Sequence, residues 1–201
     1  MDELYNLLQK ICRDCAELVK AEASSIFLKE GDELIMKAAF GYSQILINKA
    51  SYKLGDGITG WIGEGNSIIA NSIEEILAHP KWYGKYNKQL WGNQVSCHGM
   101  IGIPLISDNT TIGLIKVENK TNDNFTEEDK RTLEIFAKTV IAAIECKTEL
   151  MRIVKGLYIF VLMPFSSAFN DTYKFGIKQT VNKLNLHFDG NCFTKPISQS
   201  S

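Results

Sequence analysis

The chain has 201 residues, 45% of them hydrophobic and 22% charged, with a net charge of −1, which is enough apolar material for a sizeable folded core. A near-neutral chain with no basic stripe interleaved with aromatics lacks the electrostatic footprint of nucleic-acid binding. The acidic amphipathic start and the short longest apolar run, "LYIFVLMPF" at 157–165, exclude a signal peptide and a bilayer span, so no membrane partner and a cytoplasmic location are expected.

Leu4, Leu8, Ile11, Cys15 and Leu18 recur on one helical face with Leu7 and Val19 beside them, and residues 3–19 read as an amphipathic helix. Cys12 and Cys15 form C-x-x-C inside it. That spacing puts both on one face, where small apolar groups suit a helix interface. A zinc site would need two further ligands, and no complete set is evident even if Cys146 lies near. The five cysteines are unevenly spaced and make no disulfide framework. "SSIFLKE" and "DELIMKAAFG" alternate on either side of Gly31-Asp32 and read as a hairpin of strands 24–30 and 33–40.

A polar stretch leads to "GDGITG". Gly55, Gly57 and Gly60 have the spacing of a dinucleotide-binding turn, and Glu75 stands about 20 positions on, as that fingerprint asks. Such a turn follows a buried strand and opens a long helix. Here "NKASYKL" precedes it and another Gly-Asn soon follows, so the segment reads instead as a short helix over about 57–63, entered through a tight glycine turn.

"NSIIANS" (66–72) reads as a strand. Residues 73–97 hold a short helix and then a long irregular excursion carrying Trp82, Tyr83, Tyr86 and Trp91, with His79 read as solvated. These rings suit either stacking on a purine or packing the loop onto a sheet. A second hairpin, "HGMIGIPLIS" and "TTIGLIKVEN", turns at Asp108-Asn109. Thr126 followed by Glu127, Glu128 and Asp129 opens the clearest element, a helix with Leu133, Phe136, Val140 and Ile144 on one face, running to about Lys155 and ending at Gly156. Beyond it "LYIFVLMPF" reads as a buried strand and "AFNDTYKFGIKQTVNKLN" as a helix, a βαβ-like start, before a polar tail.

The stretches "ASSIFLKEGDELIMKAAFG", "YKLGDGITGWIGEGNSIIANS", "GMIGIPLI", "TIGLIKVENK" and "FTEEDKRTLEIFAKTVIAAIE", in that order, make the chain resemble the GAF family over residues 4–148. The resemblance implies an α+β fold: a central antiparallel sheet with the first and last long helices on one face and a ligand pocket on the other. It implies a small-molecule sensor in signal transduction, with a GAF domain over 1–150 and a helical linker over 151–157. Phe40, Trp61, Trp82, Tyr83, Tyr86, Trp91 and Ser96 are the pocket side chains it implies.

"NKTNDNFTEEDK" is similar to the pattern of cyclic-nucleotide-binding GAF domains at Asn119, Lys120, Phe125 and Asp129, and departs from it at Lys130, where that pattern has Glu. In that reading Lys120 pairs with Asp129 over Phe125 and braces the pocket; the plainer one leaves Asp129 as a helix cap and Phe125 as core. The cofactor is thus unknown, with a cyclic nucleotide or another small molecule as its chemical class. Cys97-His98 suggests the bilin-binding branch of the family, but Pro104 follows Cys97 too closely, by seven positions. Cys97 has no second cysteine nearby, which disfavours a thiol-dependent GAF reductase.

Residues 158–188, with Met163-Pro164-Phe165, Phe169 and Tyr173, resemble the opening of a TIR-like or nucleoside-deoxyribosyltransferase-like domain that lacks its catalytic part, followed by a disordered tail at 189–201. No enzymatic activity is expected. A homodimer through the first and last GAF helices, using Leu8, Ile11, Val140 and Ile144, is the expected assembly. The alternatives are a dimerisation module without a ligand, or an enzyme.

Overall fold

The computed structural model describes residues 3–42, 44–82, 97–121, 123–156 and 179. The chain divides into two units, residues 1–146 and 147–201. The first contains α1 (Glu3–Leu18), β1 (Ala21–Glu30), β2 (Glu33–Phe40), β3 (Ser51–Lys53), α2 (Gly57–Ile62), β4 (Ile68–Ala70), α3 (Ile73–Ala78), β5 (Met100–Ser107) and β6 (Thr110–Lys120). The last helix, α4 (Glu127–Gly156), starts in the first unit and continues into the second. The strand and helix expected within 157–188 and the tail at 189–201 lie outside the described residues, apart from Gln179.

The six strands form one antiparallel sheet in the order β3-β2-β1-β6-β5-β4. Both long hairpins turn where their residues allow left-handed backbone. Gly31 sits at φ 60° between β1 and β2, and Asp108 and Asn109 sit at 47° and 60° between β5 and β6. The short β3 lies in the stretch read as polar. It pairs only with β2, at the sheet edge, where three residues carry little sequence signal.

Strand alternation sorts the core into two layers. On one face Leu8, Ile11, Cys12 and Cys15 of α1 and Leu133, Ala137 and Val140 of α4 pack against Ile26, Ile101, Ile103, Ile115 and Val117. On the other face Phe27, Leu34, Met36, Met100 and Leu114 pack against Ile58 and Ile62 of α2 and Ile76 of α3. The helical stripe of α1 ends one residue differently from expectation. Leu18 is 64% exposed and Val19 is buried, because the chain leaves the helix there and turns through Lys20, at φ 56°. Cys146 is exposed while Cys12 and Cys15 are buried in the core, and among the described residues no cluster of His, Cys, Asp and Glu could hold a metal ion.

A β-bulge breaks the alternation of β2. Its register with β1 passes from Phe27↔Met36 to Ile26↔Ala38 and skips Lys37. Leu34 and Met36 therefore face the loop-bearing side, while Ala38 and Phe40 pack with the helices.

The glycine segment folds as a cap for this sheet. Asp56 precedes α2, Gly55 and Gly57 take φ of 79° and 64°, and Gly55 N–H donates to Gly60 C=O at 3.1 Å. A Cβ on Gly60 would lie 2.4 Å from the Lys53 carbonyl oxygen and 3.0 Å from Gly55 N, both backbone atoms that cannot give way cheaply. Glu75 has no free role either. Its N–H bonds Ser72 Oγ at 3.2 Å and its carboxylate accepts from Asn71 N–H at 2.7 Å, so it helps start α3. Gly60→Ala is expected to cost about 2 kcal/mol through overpacking, a fall of roughly 4–8 °C in Tm. Gly31→Asn, in open space at a φ that Asn tolerates, should stay within about 0.5 kcal/mol. Thermal unfolding of both variants checks this.

Candidate functional site

β6 runs down the middle of the sheet, and its alternation decides what each face contains. Ile115 and Val117 point to the helices, while Leu114, Lys116 and Glu118 point to the loop-bearing side. Across the strands Lys116 is flanked by Ser25 and Gly102, and Ser25 in turn by Ala39. Glu118 is flanked by Ala23 and Met100. The two long polar side chains thus rise between mostly small neighbours. Gly102 is small because Ile62 of α2 sits on it, where a Cβ would lie 2.2 Å from the Ile62 methyl.

Lys116 and Glu118 are the only buried charged residues among those described, with side-chain exposures of 3% and 1%. Lys116 Nζ lies 3.1 Å from Glu118 Oε1 and 5.7 Å from the centre of the Tyr52 ring, which meets Phe27 edge-on at 5.5 Å. Glu118 Oε2 and Ser25 Oγ are buried without a hydrogen-bond partner. Burial pushes the Lys116 ammonium down from 10.5 to about 8, and pushes the Glu118 carboxyl well above the carboxylate range. Their mutual contact opposes both shifts by favouring the charged pair. Such an arrangement pairs its own charges and leaves one carboxylate oxygen and one hydroxyl unmatched.

The expected pocket residues do not all come together. Trp61 and Trp82 pack on this loop-side layer, and Trp61 meets His79 edge-on at 4.7 Å. His79 stands against that ring at intermediate exposure, and its partial burial lowers its pKa. Phe40 belongs to the other face. The bulge at Lys37 shifts it by one position, and it packs with the helices. Tyr83, Tyr86, Trp91 and Ser96 lie outside the described residues.

Cys97 is buried on the loop side, its thiol donates to Gly99 C=O at 3.5 Å, and burial raises its pKa. A thiol activated for nucleophilic chemistry is shifted the other way.

The Asn-Lys…Phe…Asp residues surround the start of α4. Lys120 Nζ lies 2.5 Å from Asp129 Oδ2 and 6.0 Å from the centre of the Phe125 ring. The same carboxylate oxygen accepts from Thr126 N–H at 2.8 Å and Thr126 Oγ at 2.9 Å, while Asp129 N–H donates to Thr126 Oγ at 3.2 Å, closing a capping box. Partial burial pushes the Asp129 carboxyl up, but the hydrogen bond from Lys120, the Thr126 bonds and the Lys120 charge outweigh it and lower its pKa. The Lys120 ion pair and the helix cap thus share one carboxylate oxygen.

Asn119 is held at φ 59°, accepts from His98 N–H on Oδ1 at 2.9 Å and donates to Gly99 C=O from its own N–H at 2.9 Å. Asn71 is its counterpart at the other end of the excursion. It accepts from Phe125 N–H at 2.6 Å and donates to Phe125 C=O at 3.1 Å. The segment from 71 to 99 is therefore clamped at both ends to the junction that opens α4.

Lys116, Glu118 and Ser25 were missed in the sequence because "GLIKVEN" and "ASSIF" read as ordinary half-exposed strands. The available signal was their shared alternation. Lys116 and Glu118 fall in phase with Leu114 on a strand that is buried on both faces.

One antiparallel six-stranded sheet, with the first and last long helices packed on one face and two short helices on the other, makes an α+β domain. A family model described as GAF domain matches residues 2–145, and the chain belongs to the GAF domain family. The GAF domain of a phosphoenolpyruvate-protein phosphotransferase from Coxiella burnetii is similar at 22% identity and a TM-score of 0.66, over 76% of this chain and 88% of that one. Residues 122 to 287 of a methyl-accepting chemotaxis protein align at 15% identity and 0.61, over 74% and 92%. A free methionine-R-sulfoxide reductase from Neisseria meningitidis, solved with its substrate, aligns at 19% and 0.57, over 74% and 81%. Identities this low speak for the fold. No curated protein sequence matches the chain. None of these comparisons supports the TIR-like reading of 158–188.

Removing one member of the buried pair strands the other charge. Lys116→Met or Glu118→Leu alone should cost about 3–5 kcal/mol, whereas the double variant should recover most of that. The sign with pH is set by the depressed lysine. Between about pH 8 and 10.5 the unfolded chain still holds the Lys116 proton that the folded chain has released, so stability from this residue rises with pH. Urea unfolding of the parent and the double variant across that window should show the parent gaining on the variant.

Proposed function

We propose that the protein is a small-molecule sensor domain of signal transduction, and that its ligand binds on the loop-bearing face at Lys116, Glu118 and Ser25. The observation that carries this is a buried opposite-charge pair with an unpartnered carboxylate oxygen on that face. Pure architecture rarely leaves such an atom unmatched, since an orphaned buried acceptor costs about 1–3 kcal/mol. The family membership and the likeness to the GAF domain of a phosphotransferase and to part of a chemotaxis protein support a regulatory role.

Ligand binding under α2, α3 and Trp82 shifts the start of α4 between two arrangements. Asn71, through its hydrogen bonds to Phe125, and Asn119, next to Lys120, connect the loop-bearing face to that start, which would pass the change on to an effector. A ligand drives this only by preferring one arrangement. Purines and cyclic nucleotides are the first compounds to test. At 100 times its Kd a ligand adds about 2.7 kcal/mol, or roughly 5–10 °C in Tm for a domain of this size. The expected result is a rise with one compound in the parent and none in the Lys116→Met/Glu118→Leu double variant. A rise retained by the double variant sinks the site.

Homodimerisation through α1 and α4 is a second part of the proposal, with different residues from those first expected. Leu8, Ile11 and Val140 are buried in their own subunit, whereas Leu7 is 37% and Ile135 66% exposed. Light scattering across a concentration series should show a dimer that Ile135→Glu weakens at least tenfold, with Tm of the monomer unchanged.

A further inference from the structure

Resting on the reading of this face as a ligand site, we infer that its ligand is an uncharged, planar heterocycle with N–H donors, the chemistry of a free nucleobase, and not a phosphate-bearing nucleotide. Charge balance makes the first half of the argument. Lys116 and Glu118 are the only buried charged groups among the described residues, and they already face each other at 3.1 Å. Their charges cancel. A phosphate brought beside them would find its one buried cation shared with Glu118 and its negative charge set against that carboxylate. An added cation would in turn compete with Lys116. An uncharged ligand leaves the pair balanced and avoids burying an uncompensated charge.

The unmatched atoms make the second half. Glu118 Oε1 is engaged by Lys116, and Oε2 is buried with no partner. As a carboxylate oxygen it asks for a donor, which an N–H supplies. Ser25 Oγ, on the same face and also unmatched, can donate to a ring nitrogen or carbonyl, or accept from a second N–H. A heterocycle with an N–H and an acceptor on one edge answers both atoms at once. The surrounding side chains suit a flat ring. Tyr52 stands near Lys116 and edge-on to Phe27, and Trp61 and Trp82 pack on the same layer. Ala23 and Ala39, on β1 and β2, are the small side chains beside Glu118 and Ser25 in the sheet.

The test uses the full chain and isothermal titration calorimetry with adenine, guanine, cytosine and uracil, each one's nucleoside monophosphate, and the two cyclic purine nucleotides. At least one free base should bind, and its monophosphate should bind at least 100-fold more weakly. Glu118→Gln, which replaces half the acceptor with a donor at constant shape, should weaken the base at least tenfold. Ser25→Ala, a change too small to threaten folding, should weaken it several-fold with Tm of the free protein unchanged. If a nucleotide binds as tightly as its base, and the Lys116→Met/Glu118→Leu variant abolishes that binding, the inference fails while the ligand site stands. If the double variant binds any of these compounds as the parent does, the ligand site itself fails. If none of the compounds binds the parent, the inference is overturned.

Discussion

A lysine and a glutamate buried under one face of a sheet cannot be left alone, and much of the domain is arranged around that requirement. Isolated ions of this size cost several kcal/mol each to desolvate, so Lys116 and Glu118 have to find each other. They do so two residues apart on β6, the strand flanked by β1 and β5 on its two sides. Their neighbours across the sheet are small where the side chains need room and absent where α2 must seat, as at Gly102 beneath Ile62. The opposite face of the same strand presents Ile115 and Val117 to the core that holds both long helices. One strand thus divides the molecule into a structural layer and a chemical one.

The two layers meet at the end of β6. Asn119 and Lys120 are consecutive, and their side chains serve different elements. Asn119 holds the residues before β5, and Lys120 holds the first turn of α4 through Asp129. Asn71 adds a second tie, from the residue after β4 to the backbone of Phe125. A change on the loop-bearing face therefore has a short physical route to α4 through hydrogen bonds with distinct partners at each step. Double-mutant cycles between these residues read the coupling energy along it.

Much of the fold was legible in the order of residues. The apolar stripe of α4, its acidic first turn, both hairpin turns and the short helix after Gly57 all follow from local chemistry, and each element lies within a few residues of its expected place. The dinucleotide alternative failed on the same local ground. The buried pair was not legible in this way. Lys116 and Glu118 look like any exposed residues of an alternating strand, and nothing within "GLIKVEN" says that α2 and α3 will cover that side. Phe40 shows the converse. Its alternation with Leu34 and Met36 points to the loop side, but one extra residue, Lys37, moves it to the helices.

Period, caps and turn residues by themselves marked the long helices and both hairpins, because these signals act over a few residues and need no partner. Tertiary structure alone decided which polar side chains are sealed from water, which face each half of a bulged strand presents, and which helix residues are spent on the subunit's own core. Those properties depend on what packs opposite, and the covering element here comes from dozens of residues away in sequence. Leu8 and Leu7 illustrate the difference: adjacent in sequence and alike in chemistry, one is 3% exposed and the other 37%.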